Sequence, residues 1–562
     1  KYKKDTGKEA YLSSMWAGEK YYMALYDVYE DLRLVAAPPV SVAAFGGDTD
    51  NWEWPQQKCD FAMYRVYMSP DGRPAKFSKE NVPLKPLRKL EISLAGYKPG
   101  DYTMVIGYPG RTNRYASSLE TDYQERVTLP IANELRRNQM EIMRRWMDAD
   151  PDVWLKYSDT FFGLSNIGEM QEGEAECLKR FGVKSIKESE EKELQAWIEA
   201  DAGRKARWGS LMSDLKKMYD ETEAVERNKA YFRETFFRGT IIGRTIMRMN
   251  SARGKFGPMK KHLMRGIAET DSRVEKDLLE YAVAQYFTNI DTSLFGPYQK
   301  ELLAKFGHDF KSMTDYVWEG TMVASPEKAA LFDDPAQFNE DRLKKLLLDV
   351  SILDFNKCDN DMNHRNQILA LNKEYTQALY EMRRDKGIAQ YPDANSTMRV
   401  TYGTVGPLEP KDGMWCSWQT STNGIIEKYD ASNRDFKPSD EFMSMLKSRD
   451  WGRWAVSVMP VSGKSRGKAN VAATGFAGAP AGTMPADFLT DNDITGGNSG
   501  SPVLNASGQL IGLAFDGNKE SLASDLYAVP GYNKCVCVDI RYILWTLDRY
   551  AGMSRIIDEL GL

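Results

Sequence analysis

A serine hydroxyl is a weak nucleophile that needs a base beside it. Acyl transfer through it also needs two preorganised N–H donors aimed at the developing oxyanion. The run Thr495-Gly496-Gly497-Asn498-Ser499-Gly500-Ser501-Pro502-Val503 suits both demands. A tight Gly-x-Ser-Gly turn presents the backbone N–H groups of its first glycine and of its serine, here Gly497 and Ser499. Glycine belongs in such a turn because it reaches backbone conformations closed to other residues. Ser499 is the candidate nucleophile. Ser501 is the competing hydroxyl, outside the glycine cradle. A Gly/Ser-rich hairpin loop shares part of this composition, so what surrounds the run has to support the chemistry.

Val503-Leu504 and Leu510 to Phe515 predict two strands joined by a turn at Ala506-Ser507-Gly508. In chymotrypsin-like enzymes a hairpin of this kind follows the nucleophile and lines the primary specificity pocket. A triad of that type runs His, Asp, Ser in chain order, so its acid belongs well upstream. Residues 45–61 offer Asp48, Asp50 and Asp60, and composition does not choose among them. Asp60 has a suitable setting, ahead of the strand-like run Phe61 to Tyr67. Turn and cap aspartates are the ordinary alternative for all three.

The elements that must hold these groups come in three blocks. Residues 1–29 read as a helix. Apolar runs at Leu32 to Ala37, Phe61 to Tyr67 and Tyr102 to Tyr108 then read as strands, the last followed by the Tyr108-Pro109-Gly110 turn signal. From about Val127, Ile131, Leu135, Ile142 and Trp146 recur at helical spacing. That texture lasts to the run Ile368, Leu371, Tyr375, Leu379, Met382, with Gly387 as a helix stop. Strand texture returns at Met398 to Tyr402, and Tyr542 to Leu560 reads as helical. The pattern predicts an α+β multidomain chain in which a helical domain interrupts one β domain. The predicted blocks are 1–120, 121–395 and 396–562, three independent domains in a row being the alternative.

Length and composition agree with this picture. At 562 residues the chain exceeds the roughly 250–300 residues of a single core. It is 42% hydrophobic and 28% charged, with net charge −5 and no basic block, which argues against a nucleic-acid partner. No apolar run approaches the ~18 residues of a membrane span. The six cysteines (Cys59, Cys177, Cys358, Cys416, Cys535, Cys537) form no C-x-x-C pair, and there are three histidines, so no metal site and no cofactor is expected. Cys535 and Cys537 share one face of a strand-like run without being placed to bond each other.

Gly46-Gly47-Asp48-Thr49-Asp50-Asn51-Trp52, the Trp54-Pro55 pair, the Asp60-Phe61 step, the Ser499 run and Phe515-Asp516-Gly517-Asn518 together resemble the bacterial dipeptidyl-peptidase 7 and 11 family. The resemblance covers nearly the whole chain. It implies a chymotrypsin-like double β-barrel with a large helical insert, cleaving dipeptides from the free amino end of oligopeptides. It implies Ser499 as nucleophile and Asp60 as triad acid. It implies Asp516, Asn51, Trp52 and, from the helical domain, Asn166 as the group that holds the substrate amine. A peptide α-amine, with pKa about 8, is mostly cationic at neutral pH, which suits a carboxylate and amide oxygens. In the family the residue after the amine-binding acid is Arg in acidic-specific members and Gly in those that prefer apolar residues. Gly517 therefore implies a dipeptidyl-peptidase 7-like subtype with an aliphatic or aromatic penultimate residue. The resemblance further implies export to the periplasm and a homodimer.

The family's catalytic histidine lies upstream of the acid, in a T-N-H-H-C-type motif, and this chain has no histidine before His262. His262, His308 and His364 all fall in the helical stretch. The start at Lys1 reads as the middle of an element, so the expectation is that the first barrel is incomplete and that its missing part carries the histidine. Loss of a triad histidine costs on the order of a million-fold in turnover, so the chain as written is expected to be nearly inactive. The family's R-H-T-G between W-P and the acid is here Gln56-Gln57-Lys58-Cys59. Two other functions fit the same residues: an endopeptidase of this fold, and a non-catalytic peptide-binding protein.

Overall fold

Where apolar residues alternate in the first and last thirds of the chain, strands form; where they recur every three or four residues in the middle, helices form. The computed structural model describes residues 2–349, 363–455 and 483–562. The chain folds into two compact units. One comprises residues 1–115 and 389–562, the other residues 116–388.

In the first unit the strands are β1 (Glu9–Met15), β2 (Lys20–Tyr26), β3 (Asp31–Ala36), β4 (Met63–Met68), β5 (Val82–Pro83), β6 (Tyr102–Gly107), β7 (Arg399–Thr404), β8 (Gln419–Ser421), β9 (Pro485–Thr490), β10 (Ser501–Asn505), β11 (Leu510–Gly517) and β12 (Cys535–Asp539). Seven of them form an antiparallel sheet in the order β7-β6-β10-β11-β12-β9-β8, and β3-β4-β5 form a separate three-stranded sheet. β9 and β12 are buried along their whole length. Val105, Phe488, Val503, Ile511 and Cys537 pack together in one core cluster. A second cluster joins Phe45, Phe442, Trp454, Tyr542 and Trp545. The thiols of Cys535 and Cys537 stay free at 3.5 Å, as their spacing predicts.

β6 and β7 are hydrogen-bonded neighbours, with Tyr102 opposite Thr404 and Gly107 opposite Arg399. The 116–388 segment therefore departs after one strand and returns at the end of the strand beside it. An insertion between two adjacent strand ends leaves both ladders intact, because its ends are already close.

The amino-terminal residues depart from the helical expectation. A helix covers only Tyr2–Thr6 and stops at Gly7, whose φ is +71°. Residues 9–26 then form the β1–β2 hairpin, Glu9 facing Tyr26 and Met15 facing Lys20. Its Tyr-rich strands carry high β-propensity, which outweighs the loose helical spacing of their aromatics.

The second unit is helical, led by Leu129–Ala149, Pro151–Phe181, Leu211–Phe232 and Ser272–Asn289. Asp150 caps the second of these by accepting the Asp152 N–H, and Gly182, at φ +59°, ends it. Leu135, Phe236, Ile246 and Tyr286 sit in its main core. Within this apolar setting Arg136 donates to Glu234 at 2.7 and 3.0 Å, both side chains being 1% exposed. Removing one partner of a buried pair strands the other charge. Glu234→Ala is therefore expected to lower unfolding free energy by about 3–5 kcal/mol, while the apolar double replacement Arg136→Met with Glu234→Leu costs markedly less. Urea denaturation of both variants checks this.

Candidate functional site

The run around Ser499 connects β9 to β10, and its backbone is held from three sides. Gly110 N–H donates to Gly496 O at 2.7 Å, Gly500 N–H donates to Ala514 O at 2.7 Å, and Thr495 Oγ1 donates to Asp525 Oδ1 at 2.7 Å. Asn498 is buried beneath the loop and takes the Thr495 N–H on its Oδ1 at 3.3 Å. Gly497 has φ +105°, and a Cβ there would lie 2.5 Å from Tyr108 O and 2.8 Å from Gly110 N. Both conformation and space demand glycine. Among the described residues the N–H groups of Gly497 and Ser499 have no acceptor. Two adjacent unpaired donors on a rigid turn are what an oxyanion requires.

Ser499 is exposed and Ser501 is 7% exposed at the start of β10. Ser499 Oγ donates to Phe515 O at 3.2 Å. A bulge explains why that carbonyl is available. β11 pairs with β12 through Ala514 opposite Cys537 and Asp516 opposite Val536, so the register slips across Phe515. A bulge re-aims the residues beside it, and the next residue in the chain is Asp516.

Asp516 Oδ2 accepts from Gln56 Nε2 at 3.0 Å and from Trp52 N at 3.4 Å, and its Oδ1 accepts from Gly517 N at 2.9 Å. Burial raises its pKa, and Lys58 together with these hydrogen bonds opposes the rise. Residues 46–53 reach it as a series of tight turns: Asp50 N–H donates to Gly46 O, Asn51 N–H to Asp48 O and Glu53 N–H to Asp50 O. Trp52 occupies the left-handed region at φ +59°. Its ring edge lies 3.4 Å from where a Cβ on Gly517 would stand. Trp52, Asp516 and Gly517 are thus brought together, and Asn51 precedes Trp52 in the same turn series. Asn166 lies half-buried on the helix Pro151–Phe181 of the other unit.

The three candidate acids separate clearly. Asp50 is buried and bound by Lys428 Nζ at 2.7 Å. Asp48 belongs to the turn that carries Asn51. Asp60 exposes its surface to solvent, yet the protein around it is dense enough that burial raises its pKa, Lys58 lowering it and Asp516 raising it further. Among the described residues Asp60 accepts no hydrogen bond. β4 begins three residues beyond it, at Met63. His262, His308 and His364 all belong to the 116–388 unit. Among the described residues no group of three or more His, Cys, Asp or Glu could hold a metal ion.

Sequence reasoning missed Gln56 as a ligand of Asp516, and Asp487. The latter is wholly buried in β9, where its Oδ2 accepts the Lys58 backbone N–H at 2.8 Å. The odd polarity of Gln56-Gln57-Lys58 was the available signal. Its burial is a tertiary fact.

The sequence profile of the Peptidase S46 family matches residues 1–562. Dipeptidyl-peptidase 7 of Porphyromonas endodontalis is 34% identical over 97% of this chain and 65% of its own length. The Asp/Glu-specific dipeptidyl-peptidase of Capnocytophaga gingivalis is 31% identical over 100% of the chain and 77% of its own. The chain thus spans about two thirds to three quarters of these relatives. Porphyromonas endodontalis DPP11 in complex with the dipeptide Arg-Glu superposes with a TM-score of 0.85 at 26% identity, covering 100% of this chain and 78% of that one. Its complex with Arg-Asp gives 0.86 at the same identity. The architecture is therefore the α+β chymotrypsin-like double β-barrel with a large helical insertion.

These likenesses correct the expected side-chain preference. The solved relative binds dipeptides ending in Glu and Asp, and Asp/Glu-specific relatives match about as well as dipeptidyl-peptidase 7 does. The aliphatic or aromatic expectation does not hold, and Gly517 does not single out the 7-like subtype. Glycine at one position removes a side chain there; it says nothing of charges that reach the pocket from elsewhere. Gly497→Ala is expected to lower stability by about 2 kcal/mol or more, combining left-handed strain with a backbone clash. Its denaturation midpoint set against that of Gly500→Ala, where φ is +83° but no atom stands within 4 Å, isolates the clash.

Proposed function

Because the chain belongs to the peptidase S46 family, and so to the serine-type dipeptidyl-peptidases, we propose that Ser499 attacks the carbonyl of the second residue of a peptide whose free amine is held by Asp516. The observation that carries this reading is the adjacency of the two groups. Ser499 Oγ hydrogen-bonds the carbonyl of Phe515, the residue immediately before Asp516. A cationic amine anchored at that carboxylate lies a short, fixed span from the nucleophile, which measures out two residues and no more. An endopeptidase has no use for such an anchor.

In this reading the N–H groups of Gly497 and Ser499 receive the oxyanion of the tetrahedral intermediate. Asn51 and Trp52 complete the amine site with Asp516. Asp60 orients the general base and balances its charge when it takes the Ser499 proton. That base is a histidine outside the 562 residues. That Asp60 accepts no hydrogen bond among the described residues, and the greater length of the relatives, support this. For the penultimate residue the reading follows the relatives and takes Asp or Glu. The peptidase blocks are taken as 1–120 and 396–562, with the helical domain at 121–395 between them in the chain. Periplasmic location and a homodimer are proposed on the family resemblance. Among the described residues no helix is long and apolar enough to cross a membrane.

Amine capture needs Asp516 ionised and the amine protonated. Since the pKa of Asp516 is raised, binding falls away as pH drops through a value above the usual carboxylate range, and falls again above about pH 8 as the amine deprotonates. Calorimetry with Arg-Glu across pH should therefore give a bell. Asp516→Asn should weaken binding by about ten- to a hundredfold, the worth of a hydrogen bond to a charged group, and N-acetylation of the ligand should do the same. Equal affinity for free and acetylated ligand would refute the exopeptidase reading. With an extended chain that supplies the histidine, Ser499→Ala should abolish turnover, and X-Asp and X-Glu substrates should outrank X-Leu and X-Phe.

A further inference from the structure

One buried charge beside the site has no part in the chemistry so far. Lys58 stands in the loop between Gln56, whose side chain donates to Asp516, and Asp60. It is 8% exposed, and among the described residues its ammonium makes no direct hydrogen bond or ion pair. A buried ammonium is costly unless opposite charge surrounds it. Its main chain is pinned, N–H to Asp487 Oδ2 at 2.8 Å, and the other oxygen of that buried carboxyl, Oδ1, has no hydrogen bond. The chain at Lys58 is thus fixed beside one buried carboxyl, two residues from Asp60 and two from the side chain that binds Asp516, while its ammonium makes no direct pair among the described residues.

The charges around it can be sorted. Asp50, Asp60, Asp487 and Asp516 all feel Lys58. Asp50 has its own counter-ion in Lys428 and faces Glu53 as a like charge. Asp487 is pushed well up by burial, with Asp539 and Asp60 adding to the rise, which favours its neutral form. Asp60 and Asp516 remain, and Asp516 raises Asp60 by like-charge repulsion. Both must be anions for the reaction proposed above, and both are half-buried or crowded. Ionising one makes ionising the other harder, and a cation that both feel relieves that.

We propose that Lys58 is a positioning residue of the peptidase site, its ammonium serving as the shared counter-charge that keeps Asp60 and Asp516 ionised at the same pH. The proposal rests on the functional reading for its purpose, but its electrostatics can be tested without catalysis.

The test is carboxyl NMR on the chain labelled with 13C-aspartate, with Asp60→Asn and Asp516→Asn identifying the two signals. In Lys58→Met both titrations should move up by about one pH unit or more, a tenfold loss of the ionised form per unit on the acid side. Lys58→Arg, which keeps a cation, should hold both near their original positions. Titrations that stay put in Lys58→Met overturn the proposal. If Lys58→Met does not fold, the 13Cε signal of Lys58 in the unaltered chain decides. It should show inflections where Asp60 and Asp516 titrate. A signal without those inflections overturns the proposal as well. Calorimetry with Arg-Glu on the same samples separates the two ideas: no binding to the unaltered chain at any pH sinks the functional reading, whereas the carboxyl titrations judge Lys58 alone.

Discussion

Like charges crowded into partly buried space repel, and four carboxyl groups, from Asp50, Asp60, Asp487 and Asp516, converge on the loop that ends at Asp60. The rest of the site can be read as the means by which each is tolerated. Asp50 has an ion pair at 2.7 Å. Asp487 is wholly buried and driven toward its neutral form. Asp516 keeps three donors, from Gln56, Trp52 and Gly517. Asp60 has none. Hydrogen bonds to charged groups are worth about 1.5–3 kcal/mol each, so these compensations form a graded series. The carboxylate at the bottom of it is the one with most to gain from an incoming N–H donor.

Backbone geometry sets the other half of the site, and it depends on β6. That strand pairs with β10, whose first residue follows the nucleophile loop, and with β7, to which the chain returns after the helical insertion. The segment just past β6 also supplies Tyr108 O and Gly110 N, the atoms against which Gly497 packs. The floor under the Gly497–Ser499 turn and the departure point of the insertion are thus one stretch of backbone. Pairing of β6 and β7 fixes both ends of the departing segment, so a large insertion there need not disturb the loop.

What was legible in the sequence was what is local. The Gly497-to-Ser501 run encodes its own turn, because φ +105° and a 2.5 Å backbone approach admit only glycine. The hairpin behind it follows from two apolar runs and a Gly508 turn. The long helices announce themselves by period, as Leu135 and Ile131 show. What was not legible is what distant residues decide. The β1–β2 hairpin is held by cross-strand pairing rather than by a pattern that excludes a helix. Composition left Asp48, Asp50 and Asp60 equal, and only Lys428, more than 350 residues away in the chain, sets Asp50 apart. Burial of Lys58 could not be read from a Gln-Gln-Lys run that looks like a solvated loop.

Gly517 shows the same limit. A glycine there removes one side chain, but a pocket's charge belongs to the whole field around it. On the reading proposed above, the carboxylates of Asp60 and Asp516 and the ammonium of Lys58 all bear on that field, and burial raises the pKa of both acids while Lys58 opposes the rise. A glycine at 517 changes none of these charges, so it does not by itself set which side chains the pocket takes.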